Sequence, residues 1–543
     1  MLLASVNDVV QFAEALVARV GGWLPIVLFV VAIALVFIVT GAILSVAKLS
    51  HRKPQSLGFG GMIVRSAMSA AIFSWMFVRL VAFACILLPA FIRVGWWYFN
   101  SKHVFKSIKY GDKIRQDLDI YVPESVSLNK DKGKKYEKTG RIPTLIFTGG
   151  GAWIVGHKAF CALLGKIFMN QDVIVVAPDY RQFPQVVAEE MLQDIDKAIQ
   201  WTFDNIHNYG GDRDTIFLAG QSAGAHLTST LVLEHVRTEY KEQQALSKVS
   251  KTKSSSSPSS KFISSFLGSI NEDEEGAEET LNSERKSVGS GATKEDVGAQ
   301  NSHRKMSAEK LARKLHAKSF LCQKWKISQI SGYIGISGPY HLPQLREHLF
   351  DRGIEQLSFL THIVGGENTN IFTDEEHAEV LGGLSPALRL RRGTFQEMKI
   401  KNKFIESSFP PILLIHGDSD NVVPKQSTRE FAKSLRGIGA KVKVKYLAGA
   451  SHTDPIIEDL LFDESGGREA GAVSELLTMI RTYKNVASNK KDHANSGGIK
   501  RKRRRSPSML ADGFGFITEE RGRAPEECLP RLLIKAARFV NPF

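Results

Sequence analysis

Long apolar runs open the chain, and short alternating elements follow them. From Val20 to Ala47 there is no charged residue, and most positions are Val, Ile, Leu, Phe or Ala. That run exceeds the roughly 20 residues needed to cross the hydrocarbon core, so it predicts a transmembrane helix over about 20–47. Trp23 stands near one end, and Lys48, His51, Arg52 and Lys53 follow the other, as interfacial anchors do. A cleaved signal peptide fits poorly, because the run is too long and Asp8 and Glu14 precede it rather than a basic cluster. A second apolar stretch, Ser66 to Ile92, has Arg79 at its midpoint and is bounded by Arg65 and Arg93. An arginine at the centre of a spanning helix costs roughly 2.5–3.5 kcal/mol. A crossing helix, an interfacial helix and a re-entrant pair therefore all remain open. The Trp96-Trp97-Tyr98 cluster marks a water–lipid boundary in each case. Basic residues between the stretches favour the cytosolic side for that loop. The main domain is then cytosolic if the second stretch does not cross and lumenal if it does.

From about residue 105 to 484 short β-rich runs alternate with helical ones. The strands expected are Leu118–Val122, Thr144–Phe147, Val173–Ala177, Thr215–Ala219, Tyr333–Ser337, Pro411–His416 and Lys441–Leu447. Between them lie helical stretches such as Val186–Tyr209, where Val187, Met191, Ile195, Ala198 and Ile199 recur at helical spacing. Near-continuous apolar strands separated by helices imply an α/β domain with a mostly parallel sheet covered on both faces. Two segments break the pattern. Residues 241–324 are rich in Ser, Lys and Glu and read as a disordered insertion, with a short helix, Ala308–Ala317, near its end. The tail from 485 to 543 also reads as loose.

The chain has 543 residues, of which 43% are hydrophobic, and this excludes a wholly disordered protein. Its net charge is +15, but six positive residues stand together at Lys500–Arg505, outside the periodic region. Such a patch suits nuclear import, RNA or an anionic membrane surface and says nothing about the fold. The reading preferred for a chain with an anchor is lipid, with no nucleic acid expected. The four cysteines, Cys85, Cys161, Cys322 and Cys528, have neither metal-ligand nor redox-motif spacing.

Gly220-Gln221-Ser222-Ala223-Gly224 follows one expected strand and precedes a helical run. A sharp strand-to-helix turn needs small flanking residues, and it would lift the Ser222 hydroxyl to the carboxyl end of the sheet. The helix behind it favours the negative charge that develops in acyl transfer. An acid and then a histidine follow in the order this architecture requires. Asp420 comes after the strand Pro411–His416, with Asp418 as competitor and expected loop cap. His452 comes after the next strand and is placed to act as general base. Thr148-Gly149-Gly150-Gly151-Ala152-Trp153 supplies consecutive glycines, whose N–H groups could converge on an oxyanion together with that of Ala223. A phosphate cradle is rejected because no Gly-Lys-Ser/Thr follows. His226 is expected to be packed, Asp179-Tyr180-Arg181 to contain a buried structural pair, and Gly210–Arg213 to form a tight turn.

The runs Gly150–Gly156, Asp179–Pro184, Gly220–His226 and His452–Asp454 together resemble isoprenylcysteine α-carbonyl methylesterases, a lipase/esterase group of the α/β-hydrolase fold. Gly335–Gly338, Arg352-Gly353 and Leu384–Pro386 add to the likeness, which covers about residues 105–455 without the insertion. The resemblance implies a membrane protein of the endoplasmic reticulum and Golgi apparatus, with Ser222, Asp420 and His452 as catalytic triad. It also implies that Gly150, Gly151, Ala152, Gln221 and Ala223 contact the substrate. The reaction implied is hydrolysis of the C-terminal methyl ester on a prenylated cysteine, with no metal or organic cofactor. A lid of about residues 339–408 is expected within the hydrolase domain. The alternatives are a general carboxylesterase or lipase on the same triad and a catalytically silent hydrolase-fold receptor. This chain departs from the family in an extra glycine before Gly150, the insertion and the basic tail.

Overall fold

The seven strands expected from the sequence form, and the computed structural model joins them, with one more, into a single sheet. The structure describes residues 59–126, 142–252, 325–352, 360–365, 373–391, 408–461, 471–495 and 531–541, with 321 and 395 besides. The expected transmembrane helix over 20–47, the helix Ala308–Ala317 and the basic run Lys500–Arg505 lie outside the described residues. The chain divides into two units. One comprises Met1–Trp96, Leu349–Ser358 and Glu527–Phe543; the other comprises Trp97–His348 and Phe359–Glu526.

The second apolar stretch lies inside one continuous helix, α1 (Phe59–Asn100), which runs through Pro89 without a re-entrant turn. Its portion Phe77–Asn100 is long and apolar enough to cross a membrane. Phe83, Leu87, Ala90 and Val94 recur at helical spacing and are buried, whereas Val78, Leu88, Phe91 and Ile92 are exposed.

The larger unit carries β1 (Val104–Lys109), β2 (Asp117–Tyr121), β3 (Ile142–Thr148), α2 (Ala162–Met169), β4 (Ile174–Pro178), α3 (Ala188–Asn205), β5 (Gly211–Gln221) and α4 (Ala223–Thr252). Next come β6 (Ile330–Ile336), α5 (Leu342–Asp351), α6 (Leu360–Gly365), α7 (Asp374–Gly383), α8 (Pro386–Arg389), β7 (Ile412–Gly417), α9 (Lys425–Gly437) and β8 (Val442–Leu447). The series ends with α10 (Glu458–Leu461) and α11 (Ala472–Asn495), and α12 (Arg531–Val540) belongs to the smaller unit. The sheet order is β1-β2-β4-β3-β5-β6-β7-β8. β2 pairs antiparallel with both neighbours, and every pair from β4 to β8 is parallel. This eight-stranded order is that of the α/β-hydrolase fold. Every residue of β2, β3, β4, β6 and β7 is buried, as two covered faces require. The edge strand β8 carries Lys443 and Lys445, both paired with Glu475 of α11, and edge lysines discourage pairing with another chain.

The structure departs from the sequence expectations in three places. β1 was not foreseen, because its burial is irregular and Ser107 stands at φ 56° within it. α4 continues to Thr252, well past residue 241, where the insertion was expected to start. The tail expected to be loose contains the rest of α11 and the whole of α12. The described parts of the expected lid are the helices α5–α8, and the Arg389 guanidinium of α8 pairs with Glu234 of α4, both buried.

Candidate active site

The strand-to-helix turn at Ser222, the candidate nucleophile elbow, has no residue to spare: β5 ends at Gln221 and α4 begins at Ala223. Ser222 between them takes φ 53°, a left-handed backbone that costs a non-glycine residue energy and persists where the surroundings fix it. Its N–H donates to the carbonyl of Ile336 at 2.9 Å, tying the turn to the end of β6. Both flanking glycines are required by space. A Cβ on Gly220 would lie 2.5 Å from the Gly224 oxygen, and one on Gly224 would lie 2.2 Å from the Thr148 oxygen.

Three side chains from three loops meet here. His452 Nε2 lies 2.9 Å from Ser222 Oγ, and His452 Nδ1 lies 2.8 Å from Asp420 Oδ2. All three residues are buried. With Nδ1 donating to the carboxylate, Nε2 is left to accept the serine hydroxyl proton, an assignment that follows from the network. The other carboxylate oxygen, Oδ1, accepts the N–H groups of Val422 and Val423 at 2.9 Å each. Burial pushes the Asp420 carboxyl up, but His452 and His416 beside it outweigh burial and hold it well below the usual carboxylate range. The carboxylate therefore stays ionised and can orient the imidazole. Asp418 instead accepts the Gly449 N–H at 2.5 Å.

The glycine run after β3 lies against the elbow. A Cβ on Gly150 would come 2.7 Å from that of Ser222, so only glycine lets the backbone approach so closely. Gly151, Ala152 and Trp153 follow at φ 128°, 50° and 63°, and the turn is closed by Ile154 and Val155 N–H groups on the Gly151 carbonyl, 2.9 Å each. Among the described residues the N–H groups of Gly150, Gly151 and Ala152 donate to no other backbone carbonyl. Gln221 places Nε2 3.4 Å from His452 Nε2, and its Oε1 lines the Gly150 side. The nearby Cys161 is no rival nucleophile, since burial pushes its thiol up to about 12.

Three residues outside the sequence-based selection matter here. Arg115 donates to Asp179 Oδ1 at 2.7 Å, to Gln182 Oε1 at 3.0 Å and to the Gly156 carbonyl. One guanidinium thus holds the far end of the glycine loop. Nothing in the sequence marks Arg115, which stands at φ 66° between β1 and β2. His416 lies 3.3 Å from Asp420. Its place four residues before the acid, at a strand end, was the signal available. Glu234 is the third, through its pairing with Arg389. The expected Asp179–Arg181 pair is corrected: Asp179 pairs with Arg115, and Arg181 pairs with Asp194 at 2.7 Å. His226 is buried as expected, with Nε2 2.9 Å from the Leu384 oxygen. Burial brings its imidazole down to about 4.

Comparisons with known proteins find relatives for most of the chain. The family model BD-FAE matches residues 118–311. The chain is 30% identical over 467 residues to the probable isoprenylcysteine alpha-carbonyl methylesterase ICMEL1 of Arabidopsis thaliana, covering 86% of this chain and 68% of that one. It is 28% identical over 473 residues to isoprenylcysteine alpha-carbonyl methylesterase ICME of the same plant, covering 87% and 78%. Among solved structures, esterase B of Lactobacillus rhamnosis aligns over 78% of this chain and 99% of its own, with 14% identity and a TM-score of 0.41.

Proposed function

From the premise that the chain belongs to the isoprenylcysteine α-carbonyl methylesterase family and is a carboxylic ester hydrolase, we propose that it removes the methyl ester from prenylated C-terminal cysteine by a Ser-His-Asp acyl-enzyme route. The observation that carries this reading is the position of His452, hydrogen-bonded to Ser222 on one side and to Asp420 on the other. Ser222 Oγ attacks the ester carbonyl while His452 Nε2 takes its proton. The carbonyl oxygen becomes an oxyanion, received by N–H groups of the Gly150–Ala152 loop and of Ala223. As the intermediate collapses, His452 returns the proton to the leaving oxygen and methanol departs. Water, deprotonated by the same imidazole, then attacks the acyl-serine, and the prenylcysteine carboxylate is released.

The substrate's prenyl chain partitions into a bilayer, so a tethered hydrolase meets it at the surface. Membrane attachment through α1 fits this, supported by the apolar span Phe77–Asn100. The same reading locates the enzyme at the endoplasmic reticulum or Golgi membrane. The test is methanol release from farnesylcysteine methyl ester beside hydrolysis of a short-chain acyl ester. Preference for the prenylcysteine ester, lost in Ser222→Ala together with fluorophosphonate labelling, supports the proposal. Preference for the acyl ester makes the protein a general carboxylesterase, and undiminished hydrolysis by Ser222→Ala overturns the mechanism.

A further inference from the structure

The smaller unit holds a charged group in an apolar setting, and the structure supplies its partner. Arg79, near the start of the portion Phe77–Asn100, donates from Nε to the Val540 carbonyl at 3.2 Å and from Nη2 to the carbonyls of Asn541 and, at 3.5 Å, Phe539. Phe539 and Val540 close the last turn of α12 and Asn541 follows it; carbonyls at such an end lie at the helix's negative dipole end. The guanidinium thus caps α12, and Ala537 and Asn541 beside it are buried.

α12 itself has the pattern of a helix that lies in a membrane interface. Arg531, Lys535 and Arg538 recur at i, i+4 and i+7, the spacing of one face, and the seven other positions are Leu, Ile, Ala, Phe or Val. Phe539 is 85% exposed, and Leu533 is exposed as well. On α1, within a turn or so of Arg79, Trp75, Val78 and Leu80 are exposed too. The chain before α12 carries the positive run Lys500–Arg505, which suits anionic headgroups.

We infer that α12 lies in the lipid–water interface and that Arg79 fixes it there, at the end of the membrane-crossing part of α1. The occupant of the exposed Leu533 and Phe539 surface is an anionic phospholipid bilayer. Arg79 then sits at headgroup depth rather than mid-membrane, with its charge shared by three carbonyls. The inference rests on the reading of α1 as a membrane anchor, and the experiment separates the two.

The full-length protein is reconstituted in vesicles of phosphatidylcholine and phosphatidylserine, with benzoylphenylalanine replacing either Phe539 or Phe91 of α1. Irradiation is expected to give phospholipid adducts from both positions. Arg79→Leu is expected to reduce the Phe539 adduct at least fivefold and leave the Phe91 adduct unchanged. Arg79→Lys is expected to restore part of it, and hydrolysis of a soluble ester by both variants checks folding. Lipid adducts at Phe91 without any at Phe539 overturn the inference alone, as do protein–protein adducts at Phe539 or adducts indifferent to Arg79→Leu. Absence of lipid adducts at both positions overturns the anchor reading with it.

Discussion

His416 Nε2 lies 3.3 Å from Asp420 Oδ2, the same oxygen that His452 Nδ1 approaches to 2.8 Å. The Asp420 carboxylate therefore stands between two imidazoles. His416 is itself fixed: its Nε2–H donates to the Val423 carbonyl at 2.9 Å, and its Nδ1 accepts the Thr428 hydroxyl at 2.7 Å. All of this is buried. On the proposed mechanism His416 acts only through the acid it positions. His416→Phe is expected to lower kcat about tenfold with KM nearly unchanged, and to cost about 1–3 kcal/mol of stability for the polar partners left unpaired. His416→Gln, which keeps a donor, should recover part of kcat. Steady-state kinetics and urea unfolding of the two variants check both points.

Arg115 should act at the opposite side of the site. Removing its guanidinium frees the Gly156 carbonyl and the Asp179 carboxylate together, loosening the loop that carries Gly150–Ala152. Arg115→Ala is expected to lower kcat by about 10- to 100-fold, less than outright loss of an oxyanion donor. Arg115→Lys should recover little, because one ammonium cannot reproduce the fork that reaches three acceptors. Kinetics on a soluble ester, with circular dichroism for the fold, measure this.

Gly150 admits no side chain. In Gly150→Ala the new methyl would stand 2.7 Å from the Ser222 Cβ and 2.9 Å from the Gln221 oxygen, so loop and elbow must part. An activity loss on the order of 10²–10³ is expected, as when an oxyanion donor is removed. Fluorophosphonate labelling, which uses the same donors, should slow in parallel.

His226 gives a pH signature. Its folded-state imidazole titrates near 4 rather than 6.5 because it is buried. Between those values the unfolded chain binds a proton that the folded protein refuses, so stability falls as pH drops from 6.5 towards 4 and this contribution levels off below. The shift corresponds to about 3 kcal/mol. His226→Gln should shrink the difference in unfolding free energy between pH 7 and pH 4 by an amount of that order, measured by urea denaturation.

The inner parallel strands β3, β4, β6 and β7 were legible because their burial on both faces writes itself as largely apolar runs, and the ends of β3, β5, β7 and β8 led to the loops that carry the candidate site residues. β1 was not, since an antiparallel edge strand with a left-handed Ser107 has neither period. Ser222, Asp420 and His452 could be picked out because the elbow glycines are forced by close backbone contact and the other two follow strand ends. Arg115 could not, because its role exists only where three distant segments fold together. α12 escaped notice for a related reason: its carbonyl cap is supplied by Arg79, some 460 positions earlier, and composition over a whole tail blurs a ten-residue pattern.

The left-handed backbone of Ser222 also limits which atoms can attack from that position. A threonine there would carry a branched Cβ into a conformation that β-branched residues avoid, whereas cysteine would bring no extra branch. On that ground Ser222→Cys keeps the backbone the turn needs, whereas Ser222→Thr strains it.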